Sequence, residues 1–333
     1  MPGGLSVISL LTCAVFTALT GATGLTIIAL GGILLPAMKQ GRYSENFSLG
    51  LLTTSGTLGL LFPPSLPLII YAIVAKVRID HLFIAGILPG ILLVVVLSAF
   101  SVYRSVRTDV PKTKFKFNEV GTAIKEILWE LPLPVVVLGG IYSGYFAVSE
   151  AAAITAVYVL LAEVVIYRDI RLRQLPEIMK KSMVLVGGIL IILGAAMGLT
   201  NYLIDAEIPM QLLNFFKAHI ENPILFLVVL NIFLLAVGCT MGIFSALVVV
   251  VPLFTPLAEA YGIDPIHLGI IFLANLEIGA SIPPLGINLF IASMRFDKPV
   301  LQLYVASLPF IAILLLALAI ITYLPWLSLA LIG

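Results

Sequence analysis

Gly59-Leu-Leu-Phe-Pro63-Pro64 and Gly279-Ala-Ser-Ile-Pro283-Pro284 stand 220 residues apart, each inside an apolar stretch. Proline has no backbone donor, and its ring clashes with the carbonyl one turn earlier. Two in succession beside a glycine therefore break a helix. The coincidence continues outward at the same spacing: Thr20 pairs with Thr240, Pro36 with Pro256 and Pro89 with Pro309. Among prolines 36, 63, 64, 67 and 89, only Pro67 has no partner at that offset. The pattern reads as an internal repeat.

The chain has 333 residues, 61% hydrophobic and 11% charged, with a mean hydropathy of +1.18. Soluble domains carry about 25% charged residues. The apolar segments are helix-length, longer than the roughly ten-residue alternating strands of a membrane barrel. The sequence therefore predicts an all-α polytopic membrane protein. A net charge of +1 decides nothing; the positions of the charges do. Cys13 and Cys239 fit no metal or disulfide spacing and read as small apolar fillers. His81, His219 and His267 fall at segment edges beside charges and read as interfacial. Met1-Pro2-Gly3-Gly4 lacks the basic start of a cleavable signal. The sequence carries no Ser-His-Asp arrangement, His/Cys cluster or phosphate-binding glycine loop, which argues against an enzyme.

Residues 1–103 form the first repeat. Segment 5–38 is interrupted at Thr20-Gly21-Ala22-Thr23-Gly24, leaving arms of about 15 residues, short for a core of about 30 Å. A re-entrant helical hairpin fits, because non-helical backbone at membrane depth is tolerated only against protein or a wet cavity. A broken helix at 48–75 and a span at 82–103 follow. The basic stretch 104–130 is a connector. Residues 131–333 hold spans at 131–149, 151–167 and 183–204 and an interfacial helix at 208–219. A second hairpin, 223–258, has its tip at Gly238–Gly242; a broken helix at 267–294 and a last span at 300–332 complete the chain. Lysine and arginine bias places connectors 104–126 and 168–181 in the cytoplasm and the acidic stretch 205–222 outside. Five crossings then separate the two hairpin bases, so the repeats are inverted. Lys76 and Arg78, on an external loop, run against the charge rule. Paired broken helices in inverted repeats point to a transporter whose cargo binds at the breaks.

Ser55-Gly-Thr-Leu-Gly59-Leu-Leu-Phe-Pro63-Pro64-Ser-Leu-Pro-Leu-Ile-Ile-Tyr71 and Asn275-Leu-Glu277-Ile-Gly279-Ala-Ser-Ile-Pro283-Pro284-Leu-Gly286-Ile-Asn288-Leu-Phe290 resemble the signatures of the large membrane subunit of TRAP transporters, the DctM type. The resemblance runs along essentially the whole chain. It implies a permease in the bacterial inner membrane, coupled to sodium ions and with no other cofactor. It also implies a small membrane subunit of the DctQ type, a periplasmic solute-binding protein of the DctP type, elevator-like hairpin movement and an organic-acid substrate such as a C4-dicarboxylate or sugar acid. Nucleic acid is no partner; the lipid bilayer is. Family members usually carry further helices ahead of the first hairpin, which implies a truncated gene, a late start or a fragment. Gly242 stands where the family has an acid, and Ile282 where it has threonine. Two other readings are a stand-alone anion transporter of a related hairpin family and an inactive truncated fragment.

Sodium needs several oxygen ligands, which unwound carbonyls and hydroxyls at a helix break supply, while half-helix N-termini favour a carboxylate. At the first crossing the candidate sodium ligands are Thr20, Gly21 and Thr23 facing Ser55, Gly56, Gly59 and Pro63. At the second they are Gly238, Thr240 and Gly242 facing Glu277, Gly279 and Pro283. Thr26, Thr53, Thr54 and Asn288 are the polar candidates for substrate. The competing reading is that these small residues only permit close packing and back-bond to their own helices. Arg295 lies near the cytoplasmic edge and is a poor counter-charge. Glu150 and Glu277 are the acids deepest in apolar sequence, where such groups are costly. Glu150 also fits a wetted turn between two spans.

Overall fold

A computed structural model describes residues 3–108, 129, 132–143 and 145–332, and among these every regular element is helical. The chain forms two compact units, one of residues 1–113 with 198–333 and one of 114–197. The larger unit opens with α1 (Gly4–Thr20) and α2 (Thr23–Gln40), a hairpin whose turn is Gly21 in the left-handed region (φ 66°). Next comes α3 (Glu45–Ser55), tightening into a 3₁₀ turn over Gly56–Gly59. Pro63 and Pro64, joined by a cis peptide, separate it from α4 (Leu66–Ala75). The long α5 (Ile79–Arg107) follows.

The smaller unit holds α6 (Pro132–Tyr142), α7 (Val148–Leu161) with a π-helical turn at Ala162–Ile166, and most of α8 (Leu175–Asp205). The chain then returns to the larger unit with α9 (Ile208–His219). A second hairpin follows, α10 (Pro223–Thr240) and α11 (Ile243–Ala260). Then come α12 (Pro265–Gly279), a second cis Pro-Pro at 283–284, and α13 (Ile287–Phe296). Helices α14 (Val300–Tyr323) and α15 (Trp326–Leu329) close the chain. Among the described residues seven helices are long and apolar enough to cross a membrane.

The elements of 4–107 recur in order in 223–323, and their packing recurs too: α2 lies on α13 as α11 lies on α4. The spacing is 220 up to the Pro-Pro pair and 221 beyond it, because α13 starts 221 residues after α4 and α14 starts 221 after α5. Buried Leu82, Ala85, Gly86, Pro89 and Leu93 match buried Leu303, Ala306, Ser307, Phe310 and Leu314 at that spacing. The Pro89–Pro309 pairing at 220 is therefore one residue out of register. A one-residue difference in the turn after the break rotates the following helix by about 100° relative to the naive alignment.

Helices α3 and α12 are the core. Every residue from Phe47 to Ser55 and from His267 to Gly279 is buried, polar Ser48, Thr53, Thr54, Ser55, His267, Asn275 and Glu277 included. The outer helices instead expose Ile8, Val15, Leu19, Ile33 and Leu316, which a bilayer would cover.

Several expectations change. The span at 131–149 is a short helix ending at Tyr142, and Glu150 caps α7 by accepting the Ala147 amide at 2.9 Å. The span at 183–204 is part of one helix that begins at Leu175. The last span stops at Tyr323, because Pro325 has no donor to continue it. His267, at the start of α12, is packed inside the protein: it is 2% exposed, with Nδ1 3.1 Å from Ser328 Oγ and Nε2 3.2 Å from the Thr322 carbonyl. The connector expected at 104–130 is helical to Arg107, and residues 109–128 lie outside the described residues.

Two predictions test this packing. A Cβ on Gly86 would run into the Leu61 carbonyl, whereas one on Gly187 meets nothing within 4 Å. Gly86→Leu should cost roughly 1–3 kcal/mol or more and Gly187→Leu little, read as thermal midpoints of the detergent-solubilised chain. At one end of the larger unit Glu45 Oε1 pairs with Lys39 Nζ at 2.7 Å and Lys298 Nζ at 2.9 Å. The Lys39 hydrogen bond, then that of Lys298, lowers the Glu45 carboxyl from 4.5 to about 2. A depressed carboxyl stabilises the fold above its unfolded value and loses that contribution as pH falls through its folded value. Acid midpoints measured between pH 4.5 and 2 should thus fall more steeply in wild type than in Glu45→Gln.

Candidate transport site at the two helix breaks

The first tip and the first break meet. A Cβ on Gly21 would sit 3.0 Å from Leu66 Cβ, and one on Gly56 would sit 2.9 Å from the Thr23 carbonyl. Gly59 lies in a notch of α1, against the backbone of Ala14 and Ala18 and the side chain of Thr17. Pro63 is buried at the same level. The break carries unspent oxygen. Phe62 donates to the Gly59 carbonyl at 3.0 Å, but the carbonyls from Leu60 to Pro64 accept no hydrogen bond among the described residues. The Ser65 hydroxyl, fully buried at the start of α4, has no partner either.

At the second crossing the contact is backbone on backbone. Cβ atoms on Gly238 and Gly279 would each strike main chain of the opposite helix, at 2.8 Å from Leu276 and 2.7 Å from the Leu235 carbonyl. Three of the five matched carbonyls here are spent: Ala280 takes the Asn288 amide, Ile282 takes the Gly286 amide and the Cys239 thiol, and Pro284 takes the Tyr304 hydroxyl, while those of Ser281 and Pro283 accept no hydrogen bond among the described residues. Charge is added by Glu277, 1% exposed, with both carboxylate oxygens unpartnered among the described residues, as is the nearby Asn275 Oδ1. Burying a charged carboxylate without a partner costs several kcal/mol, so this group needs a cation or a proton. Pro283 is half-buried beside it in sequence. Thr240 and Gly242 face outward; the Thr240 hydroxyl returns to the Ala236 carbonyl at 3.0 Å, and nothing lies within 4 Å of a Cβ on Gly242.

Several expected hydroxyls are tied into their own helices. Thr20 donates to the Phe16 carbonyl, Thr53 to Leu49, Thr54 to Gly50 and Ser55 to Leu52. These four keep only oxygen lone pairs for a ligand. Thr26 contacts Thr17, with 2.6 Å between hydroxyl oxygens. Among the links between the halves, Thr23 donates to Asn288 Oδ1 at 2.8 Å, and Asn288 Nδ2 donates to Ser281 Oγ at 3.2 Å. A candidate ion ligand and a candidate substrate residue are thus hydrogen-bonded across 265 positions of sequence.

Sequence reasoning missed Ser281, Thr17 and Ser65, and took Cys239 for filler. Ser281 and Ser65 both lie within the quoted motifs, which was the available signal. Arg295 is anchored by Nε donating to the Ile28 carbonyl at 2.6 Å, so it serves helix packing rather than the tips.

The family model described as "Tripartite ATP-independent periplasmic transporter, DctM component" matches residues 1–327. The chain is 37% identical over 330 residues to the C4-dicarboxylate TRAP transporter large permease protein DctM of Pseudomonas aeruginosa, covering 99% of this chain and 77% of that one. It is 33% identical over 315 residues to the ectoine/5-hydroxyectoine TRAP transporter large permease protein UehC of Ruegeria pomeroyi, covering 94% and 73%. It is 31% identical over 333 residues to the sialic acid TRAP transporter large permease protein SiaM of Vibrio cholerae, covering 99% and 77%. With its broken helices, its two hairpins and this match along nearly its whole length, the chain belongs to the DctM family of TRAP transporter large permease subunits, which are transport proteins and not enzymes.

Proposed function

We propose that the chain is the permease subunit of a sodium-coupled, binding-protein-dependent importer of an organic acid. The observation that carries this reading is the Glu277 carboxylate, sealed two residues before the second break with no partner among the described residues. A hard monovalent cation suits that group, and it suits the five free carbonyls from Leu60 to Pro64 at the first break equally well. The donor sets differ: neutral carbonyls with Ser65, Gly56 and Thr23 nearby at one break, a charged carboxylate with Gly238 and Gly279 at the other. Bound sodium would supply positive charge near the tips, where an organic anion otherwise finds no lysine or arginine among the described residues.

Asn288 is the residue best placed to couple ion and anion, since it bonds Thr23 of one half and Ser281 of the other. The recurrence of α2 on α13 and α11 on α4 supports inverted halves that bring both tips to mid-membrane. Relatives named for C4-dicarboxylate at 35–37% identity favour a C4-dicarboxylate over the sugar acids named for more distant ones. A small membrane subunit and a periplasmic binding protein complete the assembly in the inner membrane.

Uptake of labelled succinate into vesicles holding the chain, its small subunit and its binding protein tests the reading, and indifference to an inward sodium gradient would refute it. Glu277→Gln should raise the sodium concentration for half-maximal uptake by about tenfold or more, the scale on which even supporting groups of a metal site act. Thr20→Ala with Thr23→Ala should also weaken the sodium response; an unchanged response would remove the first site. Gly279→Leu forces a side chain against the Leu235 carbonyl and Gly238, and should abolish uptake.

A further inference from the structure

The two halves of the larger unit differ sharply at one matched place. Where α13 crosses α2, the chain fills the groove with its own side chains. Arg295 lies over Gly32, where a Cβ would overlap the guanidinium, and its Nε donates to the Ile28 carbonyl. The Phe296 ring covers Gly31, 2.8 Å from where a Cβ would stand. Where α4 crosses α11, the counterparts at the structural spacing are Val74 for Arg295, Ala75 for Phe296 and Pro252 for Gly32. Two small side chains replace two large ones. The crossing there holds a cavity of about 570 Å³, lined by Val74, Ala75 and Pro252 among others.

The charges at the cavity are reversed as well. Lys39 beside the filled groove corresponds to Glu259 at the cavity, and Asp297 corresponds to Lys76. Glu207, just before α9, adds a second carboxylate to the lining. Lys76, Glu207 and Glu259 form no ion pair among the described residues. The lining thus carries two negative charges against one positive. Pro252 and Pro256 cannot donate to the carbonyls of Val248 and Pro252, so α11 loses two helical hydrogen bonds along this stretch. Val248 is the counterpart of Ile28, whose carbonyl holds the Arg295 guanidinium.

We propose that this cavity binds an organic cation of the alkylguanidinium or alkylammonium class, in the place where the other half of the chain seats its own arginine. The alkyl stem rests on Val74 and Met210, and the charged nitrogen is held by Glu207 and Glu259. An anion is disfavoured by the same two carboxylates. The site lies away from both helix breaks, so it stands or falls independently of the transport reading. The ligand has two sources, a soluble guanidino or amino compound and the ammonium headgroup of an aminophospholipid.

The test uses the full chain in phosphatidylcholine nanodiscs, titrated calorimetrically with n-propylguanidinium, which is the arginine side chain as a free molecule. Saturable binding is expected. Glu259→Gln should weaken it about tenfold, the loss of one charge-assisted contact; Glu207→Gln serves if that variant does not fold. Val74→Arg installs a tethered guanidinium and should abolish binding, with helical content and size-exclusion elution unchanged. In a second arm, native mass spectrometry follows the chain extracted from mixed phosphatidylethanolamine and phosphatidylcholine membranes. Selective retention of phosphatidylethanolamine, lost in Val74→Arg, assigns the site to lipid. Absence of binding in both arms, or binding that the variants leave unchanged, overturns the proposal.

Discussion

The structure depends on how backbone polar groups are satisfied where proline and glycine open a helix inside apolar protein. No water is at hand in a bilayer core, and an unpartnered carbonyl there is costly. The two breaks meet this constraint differently. The second is partly closed by its own surroundings, through the Asn288 and Gly286 amides, the Cys239 thiol and the Tyr304 hydroxyl, with the Ser281 and Pro283 carbonyls left over among the described residues. The first leaves a run of five carbonyls and the Ser65 hydroxyl without protein partners among the described residues. What remains unsatisfied is oxygen in both cases, neutral at the first break and both neutral and carboxylate at the second. That is the chemistry a small hard cation seeks.

Close approach makes these crossings possible. Gly56, Gly59, Gly238 and Gly279 lie where any side chain would meet opposing backbone or a neighbouring helix. Small residues let helices touch through van der Waals contact, the main attraction left when lipid is as apolar as the side chains. The buried α3 and α12 then act as rigid stems that carry the breaks, while the outer helices carry the apolar surface.

The element order recurs between the two halves of the larger unit, but the side chains do not. At the α2–α13 crossing the link Thr23–Asn288 and the Arg295 anchor tie the halves together by polar contacts. The matching α11–α4 crossing has small side chains in place of the anchor and a cavity edged by Lys76, Glu207 and Glu259. The same backbone arrangement therefore serves as a fastened joint at one place and an open one at the other.

Hairpins, breaks and the amphipathic helix at 208–219 were legible in the chain, because proline and glycine act within one turn and membrane length is a local quantity. Cys239, His267 and Thr53 were not: whether a thiol caps a break, an imidazole is buried or a threonine faces a cavity depends on a neighbour far away in sequence. Pro89 and Pro309 show the same limit, since identical residues at a constant spacing occupy different positions once a turn differs by one residue. The sequence by itself determined a helical membrane protein with two proline-broken helices, through local sterics and hydropathy. Only tertiary packing decided which oxygens stay unspent, because hydrogen-bond satisfaction is settled between helices and not along them.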